Sequence, residues 1–392
     1  AAMAVIAPIW NIIYSFGLLC GIGGSVIYAV ARGERDDVKE ANGYFTSAFI
    51  LGAIWSLILW VLVWVCEEPL LRLFGANDAL MPLCKEYMVA PKLTVPVYVF
   101  INLLSSFLRN DGDPGRATKA VIFGGIFNVF GDYFFVFTLD MGIKGAGIAT
   151  AMGASMSVLV MLTHFIGKKN TLKFVKPLRI LNSFKMISVN GFSSFIVDVA
   201  MGIATMLFNR RVMEYLGTDA LAVYGVIVVV GTLVQCCSYG IGQAAQPVIS
   251  RNFGAGFTDR IKTMLKYNII TAAVFGAIWT VLSMAMPQVF IKLFMTPTPE
   301  VLSIAPGIIR IYAISFILLP FNIYSTYYFQ AIMRAKISLI ASVARGIVIS
   351  GALILLLPVA FGGNAVWWAM PITEAVVFVY SAVMMKKVKL SR

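Results

Sequence analysis

Long apolar segments dominate this chain and leave it few ways to fold. A helix needs roughly 20 apolar residues to cross the hydrocarbon of a bilayer, and eleven such stretches follow one another along the sequence. They begin near Ala2, Gly43, Leu83, Ala117, Gly145, Ile187, Leu221, Tyr267, Ile304, Ile337 and Ala365. With 60% hydrophobic and 12% charged residues, the chain cannot cover an apolar core with a polar surface. The sequence therefore predicts an all-α integral membrane protein.

The two halves of the sequence resemble each other. The motif Gly-Ile-Gly at 21–23 recurs at 240–242, and Gly-Ala-Ile-Trp at 52–55 recurs at 276–279. Internal repeats of bundled helices are typical of secondary transporters, in which one half moves against the other. A channel or a structural membrane protein built by duplication is the alternative interpretation of the repeat alone.

The register of the repeat predicts the domain organisation. The second half has an apolar segment upstream of its Gly-Ile-Gly motif, and the counterpart in the first half would lie before Ala1. We therefore expect two pseudo-symmetric lobes of six plus six helices in the full protein, with the first helix lacking here and eleven in this chain. The N-terminal lobe is predicted at 1–167, a basic connector at 168–186, and the C-terminal lobe at 187–392.

The distribution of Lys and Arg predicts how the chain is oriented. The formal net charge is +13, and most basic residues lie in every second loop, in the connector and in the C-terminal tail. Cytoplasmic loops carry such an excess. We expect a multi-pass protein of the prokaryotic cytoplasmic (inner) membrane with its C-terminus in the cytoplasm, and no nucleic-acid partner. The five cysteines are an odd set without CxxC spacing, so we interpret them as small apolar residues in or near helices and expect no cysteine metal site. No cofactor is predicted apart from the coupling ion.

Three stretches of the first half resemble the multidrug and toxic compound extrusion (MATE) family. RNDGDP at 109–114, NVFGD at 128–132 and GIKGAGIAT at 142–150 are similar to the RxxGxP, NxxxD and GxxGAGxAT run of that family. The similarity extends over the whole chain, and the Asn-x-x-x-Asp spacing with a Thr on the next helix most resembles the DinF-like branch. The resemblance implies a V-shaped pair of lobes that exports organic, mostly cationic compounds against Na⁺ or H⁺.

A coupling site is predicted at Asp132, Asn128 and Thr150. An ionised carboxylate within a membrane span is costly and usually functional or paired, and Asn128 lies one turn earlier on the same helix face. At about 1.5 Å per residue, Asp132 and Thr150 lie at similar depths on either side of a tight turn. Their oxygens suit a hard cation such as Na⁺. A buried structural role for Asp132 is the alternative.

Other polar residues within the spans have less specific predictions. Asp198 is a second candidate for ion coupling or substrate binding, whereas Glu374 is expected to form an ion pair with Arg310 or Arg345. His164, the only histidine, is expected at the membrane interface. Five polar-tipped residues are candidate walls of a substrate cavity: Tyr14, Tyr224, Tyr239, Gln243 and Tyr324.

Rival functions fit the sequence less well. A flippase for lipid-linked precursors, from the same superfamily, would be expected to have a cationic cavity, and Asp132 and Asp198 argue against one. An enzyme would need catalytic motifs such as HExxH or GxSxG, which the sequence lacks. A channel would be expected to repeat pore rings in an oligomer, whereas this duplication is within one chain. We therefore predict a monomeric multidrug efflux antiporter.

Overall fold

The computed structural model describes residues 2–35, 38–74, 76, 78, 80–177 and 179–390. Throughout this described part the regular structure is helical, without strands. Fifteen α-helices follow in order: α1 (Ala2–Arg35), α2 (Val38–Val65), α3 (Glu67–Leu73), α4 (Met81–Tyr87), α5 (Val89–Asn110), α6 (Pro114–Asp132), α7 (Gly142–Leu162), α8 (Ile180–Gly254), α9 (Thr258–Ala285), α10 (Pro287–Phe294), α11 (Pro299–Ala313), α12 (Leu319–Ala331), α13 (Ala335–Val343), α14 (Ile349–Phe361) and α15 (Ala369–Lys387).

The membrane spans agree with the sequence prediction. Ten helical stretches of the described chain are long and apolar enough to cross a bilayer. One of them, α8, has 75 residues, and at about 1.5 Å per residue it would extend far beyond a hydrocarbon core of about 30 Å. Its helix is interrupted at Gly217, where φ is 80° and ψ is −170°, a conformation that glycine tolerates. Counting α8 as two spans gives the eleven predicted, which confirms the fold class.

The chain forms two compact units, Ala1–Val199 and Ala200–Arg392. We call them unit 1 and unit 2. The boundary lies within α8, so the first part of that helix packs with unit 1. The predicted lobe boundaries at 168 and 187 stay a prediction.

Three of the repeated glycines lie at close helix contacts, whereas Gly240, the counterpart of Gly21, has no atom within 4 Å of a Cβ added to it. In unit 1, a Cβ on Gly21 of α1 would lie 2.7 Å from the carbonyl oxygen of Asn102 on α5, and one on Gly52 would lie 2.9 Å from a methyl carbon of Leu103. In unit 2, a Cβ on Gly276 would lie 2.5 Å from the carbonyl oxygen of Ile317. A larger side chain would not fit at these three positions, so the Gly52 and Gly276 pair of the repeat reflects close packing in each unit.

Candidate functional site

Small residues bring α6 and α7 together as an antiparallel pair. A Cβ on Gly131 of α6 would lie 2.9 Å from the Cβ of Ala149, and one on Gly153 of α7 would lie 2.9 Å from the Cβ of Asn128. Nearer the other end of α6, Gly124 faces Ser157. The short distance between the two backbones places polar side chains of one helix within reach of the other.

The structure brings Asn128 and Thr150 together as predicted. The Asn128 amide Nδ2 lies 3.5 Å from the Thr150 hydroxyl oxygen, and that hydroxyl donates to the Ala146 carbonyl at 2.9 Å. Asp132 is one helical turn beyond Asn128 and is the last residue of α6, immediately before a π-helical segment at Tyr133–Thr138. All three side chains are half-buried. Segments of π-helix are frequent at functional sites.

An aromatic cavity adjoins this polar cluster within unit 1. Its volume is about 280 Å³, and it is lined by Trp10, Asn11, Tyr14, Tyr87, Tyr98 and Thr150. The rings of Trp10 and Tyr98 contact each other with centroids 4.6 Å apart. Faces of Trp and Tyr attract organic cations through their π electrons. The cavity can therefore hold an aromatic or cationic compound beside Thr150.

Tyr14 is the predicted cavity residue that lines this space. The sequence reasoning missed Trp10, Asn11, Tyr87 and Tyr98. Trp10 and Tyr14 are four residues apart on α1, so they share a helix face, and that spacing could have identified Trp10. Tyr87 belongs to the short helix α4, which lies at the start of the apolar stretch predicted from Leu83.

The remaining predicted cavity residues lie in unit 2. Gln243 Nε2 lies 3.5 Å from the Tyr327 hydroxyl, and the ring of Tyr239 lies 6.3 Å from that of Tyr327. Tyr224 stacks on Phe208. Tyr324 is fully buried. Contact with substrate stays a prediction for all four residues.

Asp198 lies in the part of α8 that belongs to unit 1 and is buried. Its role in ion coupling or substrate binding stays a prediction.

Glu374 forms the buried ion pair expected of it. Its carboxylate lies 2.8 Å from Arg345 Nε and accepts a hydrogen bond from Asn322 Nδ2 at 2.6 Å. Arg310, the other candidate partner, donates instead to the Met284 carbonyl. His164, expected at the membrane interface, lies just after α7, and its ring is fully buried between two carboxylates; its depth in the membrane stays a prediction.

The family follows from comparison with known proteins. The sequence model of the MatE family matches residues 1–134 and 192–355. The chain belongs to the MatE family. This membership confirms the predicted resemblance, makes the chain a multi-pass membrane protein of a transporter family, and excludes an enzyme. The DinF-like branch and the lacking first helix stay predictions.

Relatives and solved structures of MATE proteins match almost the whole chain. The multidrug export protein MepA of Staphylococcus haemolyticus (strain JCSC1435) is 24% identical over 96% of this chain and 82% of that protein. MepA of Staphylococcus aureus (strain MSSA476) is 22% identical over the same shares. A structure of a multidrug resistance MATE family transporter in the outward-facing conformation matches with a TM-score of 0.90, 22% identity, and coverage of 98% of this chain and 87% of that one. These likenesses show the two-lobe fold of MATE transporters.

Proposed function

We propose that this chain is a multidrug efflux antiporter. It exports organic, mostly cationic compounds in exchange for H⁺ or Na⁺ by alternating access, as a monomer in the prokaryotic cytoplasmic membrane. Membership of the MatE family and the similarity to proteins named for multidrug export support this proposal.

One observation carries the mechanism: Thr150 belongs both to the polar cluster and to the aromatic cavity. Its hydroxyl lies within hydrogen-bonding distance of Asn128, and its side chain forms part of the cavity wall. A change in the charge or ligands of the cluster therefore acts directly on the space where a compound would bind. Coupling requires that ion and substrate change each other's binding free energy, and a residue common to both sites provides a direct route for this.

The residues have separate roles in this proposal. The Asp132 carboxylate binds the proton or Na⁺, and the Asn128 amide oxygen and the Thr150 hydroxyl supply further neutral ligands. Trp10, Tyr14 and Tyr98 hold the exported compound by stacking and cation–π attraction. Binding of the cation at Asp132 removes the negative charge that attracts a cationic compound, so the compound leaves as the cation enters.

Transport of ethidium out of cells tests the proposal. Asp132→Asn keeps the side-chain size and removes the charge, so we expect efflux to be lost while the amount of protein in the membrane is unchanged. Asn128→Ala and Thr150→Ala should weaken efflux less, because each removes only a neutral ligand. Collapsing the H⁺ and Na⁺ gradients separately identifies the coupling ion.

Asp78→Asn is the matched control, because Asp78 is an acid of the same unit with a side chain that is 89% exposed. This variant should transport normally. Normal efflux by Asp132→Asn would contradict the assignment of the coupling site. Unchanged efflux after collapse of both gradients would contradict antiport.

A further inference from the structure

A buried cluster of charged side chains lies at the end of unit 1 where α5, α7 and the connector meet. The His164 side chain is 0% exposed, with Nε2 lying 2.8 Å from Asp111 Oδ2 and Nδ1 lying 3.1 Å from Asp113 Oδ2. Both aspartates belong to the turn between α5 and α6. Each ring nitrogen thus faces a different carboxylate, and neither carboxylate belongs to the proposed coupling site.

Asp111 is surrounded by hydrogen-bond donors. The Thr171 backbone N–H donates to its Oδ2 at 2.9 Å, the Tyr28 hydroxyl donates to its Oδ1 at 3.2 Å, and the Thr171 hydroxyl also donates to Oδ1. A carboxylate that accepts several such bonds is stabilised in its ionised form. In its hydrogen bond with His164 Nε2, Asp111 is therefore the acceptor and the imidazole N–H is the donor.

Asp113 is ionised for a different reason. Arg116 Nε lies 2.8 Å from the same carboxylate oxygen that faces His164. Burial raises the pKa of the Asp113 carboxyl, but the hydrogen bond with His164 and the charge of Arg116 outweigh it and hold the pKa below its usual range. An ionised carboxylate has no proton to donate, so Nδ1 of His164 must donate to it.

Two acceptor carboxylates require two N–H groups on one imidazole ring. A neutral imidazole has one donor and one acceptor, whereas the imidazolium form has two donors. We infer that His164 is a doubly protonated imidazolium and that it serves as a proton-dependent latch, holding the connector against unit 1 through Asp111 and Thr171.

The connector is held to unit 1 by two kinds of contact. Thr171 contacts the charged cluster through Asp111. Farther along, the Lys173 N–H donates to Asn42 Oδ1 and the Val175 N–H donates to Thr46 Oγ1, each at 3.0 Å. The second kind involves only neutral side chains of α2 and includes Thr171, whose carbonyl accepts from Asn42 Nδ2 at 3.1 Å. Among these contacts, those of the Thr171 N–H and hydroxyl with Asp111 are the ones that involve the charged cluster.

The sign of the pH dependence follows from the charges around the ring. The charged or titratable groups are Asp111 and Asp113 in contact with His164, Arg116 beside Asp113, Tyr28 beside Asp111, and Arg32, whose charge acts on Tyr28. Imidazole is the side chain that ordinarily changes charge in the physiological pH range. When the ring loses a proton, one nitrogen lone pair faces a carboxylate and that contact becomes repulsive. The latch thus holds at low pH and loosens as the pH rises.

Nuclear magnetic resonance of the imidazole tests the protonation state directly. Because the chain has one histidine, protein labelled with ¹⁵N-histidine and purified through a histidine-free tag gives the signals of a single ring. At neutral pH we expect both ring nitrogens to have the shifts of protonated N–H groups. A signal from one protonated and one unprotonated nitrogen at that pH would overturn the inference.

Amide hydrogen exchange tests the latch itself. After correction for the intrinsic effect of pH, we expect exchange at Thr171 to become about tenfold faster at alkaline pH, as loss of one charge-assisted hydrogen bond implies. Exchange at Lys173 and Val175 should change much less and is the internal control. Equal pH dependence at all three amides would contradict a latch at His164.

Two variants separate the latch from general damage to the fold. His164→Gln is neutral at every pH, so Thr171 should exchange quickly at both pH values. Asp113→Asn replaces one carboxylate with an amide, which can donate to an unprotonated nitrogen. A neutral His164 ring can then form hydrogen bonds with both Asp111 and the new amide at position 113. The Thr171 amide should therefore exchange slowly at both pH values. If Asp113→Asn keeps the wild-type pH dependence, the paired-carboxylate mechanism is wrong.

Discussion

Arg345 and Glu374 form a buried ion pair inside unit 2. Glu374 is fully buried and Arg345 nearly so, and Asn322 donates to the same carboxylate. Removing one partner of a buried pair leaves the other charge without compensation. We expect Glu374→Gln to destabilise the protein by about 3–5 kcal/mol, measured by thermal unfolding of the purified protein in detergent.

The exposed pair of Glu68 and Arg72 provides a comparison at the same scale. Their atoms lie 3.1 Å apart, but both side chains are about half exposed to solvent. Water screens such a pair, so Glu68→Gln should leave the unfolding temperature unchanged. Equal stability of the Glu374→Gln and Glu68→Gln variants would show that the buried pair adds nothing to unit 2.

Some contacts between single residues could be predicted from the sequence, and others could not. Asp132, Asn128 and Thr150 could be grouped in advance, because a tight turn places Asp132 and Thr150 at similar depth and Asn128 lies one helix turn before Asp132. The structure shows the contact of Asn128 with Thr150. The surroundings of His164 could not be predicted, because Asp111 and Asp113 reach it from the turn between α5 and α6, and Thr171 of the connector in turn contacts Asp111. Contacts between residues far apart in the sequence depend on tertiary packing, which local sequence patterns do not predict.

At the scale of helices, the pairing of α6 with α7 depends on glycine. A Cβ at Gly124 would overlap with the Ser157 hydroxyl, whereas a Cβ at Gly125 would meet nothing within 4 Å. We therefore expect Gly124→Ala to destabilise the protein by about 1–3 kcal/mol through overpacking. It should also reduce efflux, because the two helices carry Asn128 and Thr150.

Gly125→Ala is the matched control, one position along the same helix. Alanine favours the helix over glycine by roughly 1 kcal/mol, so this variant should be as stable as the natural chain or slightly more stable. Thermal unfolding and ethidium efflux of both variants test the pairing. Equal behaviour of the two variants would mean that α6 and α7 are not closely packed at Gly124.

The helices themselves were predictable to different degrees. Long spans were predicted because hydropathy over about 20 residues is a strong signal, and the structure has helices at each predicted start. The short helices α3 and α10 were not predicted, since seven or eight residues give no such signal, and α4 was not separated from the span predicted to begin near Leu83. One of them, α4, ends at Tyr87, a wall of the aromatic cavity. The sequence thus predicted the bundle better than the lining of its cavity.

For the whole molecule, the described spans predict where the C-terminal tail lies. After the connector the chain contains α8, which holds two spans, and four further stretches, Thr258–Ala285, Pro299–Ala331, Ala335–Phe361 and Gly363–Lys387. An even number of crossings returns the chain to the side on which the connector lies. The connector and the tail are both rich in Lys and Arg, and such segments are retained in the cytoplasm.

Fusions to reporter proteins test this orientation. Green fluorescent protein fused after Lys389 should fluoresce, and alkaline phosphatase at the same position should be inactive, because phosphatase folds only outside the cytoplasm. Fusions at Gly362, between the last two spans, are the control and should give the opposite pattern, since that position is one crossing away. Active phosphatase after Lys389 would place the tail outside. The connector would then lie outside as well, and the His164 cluster would respond to external rather than cytoplasmic pH.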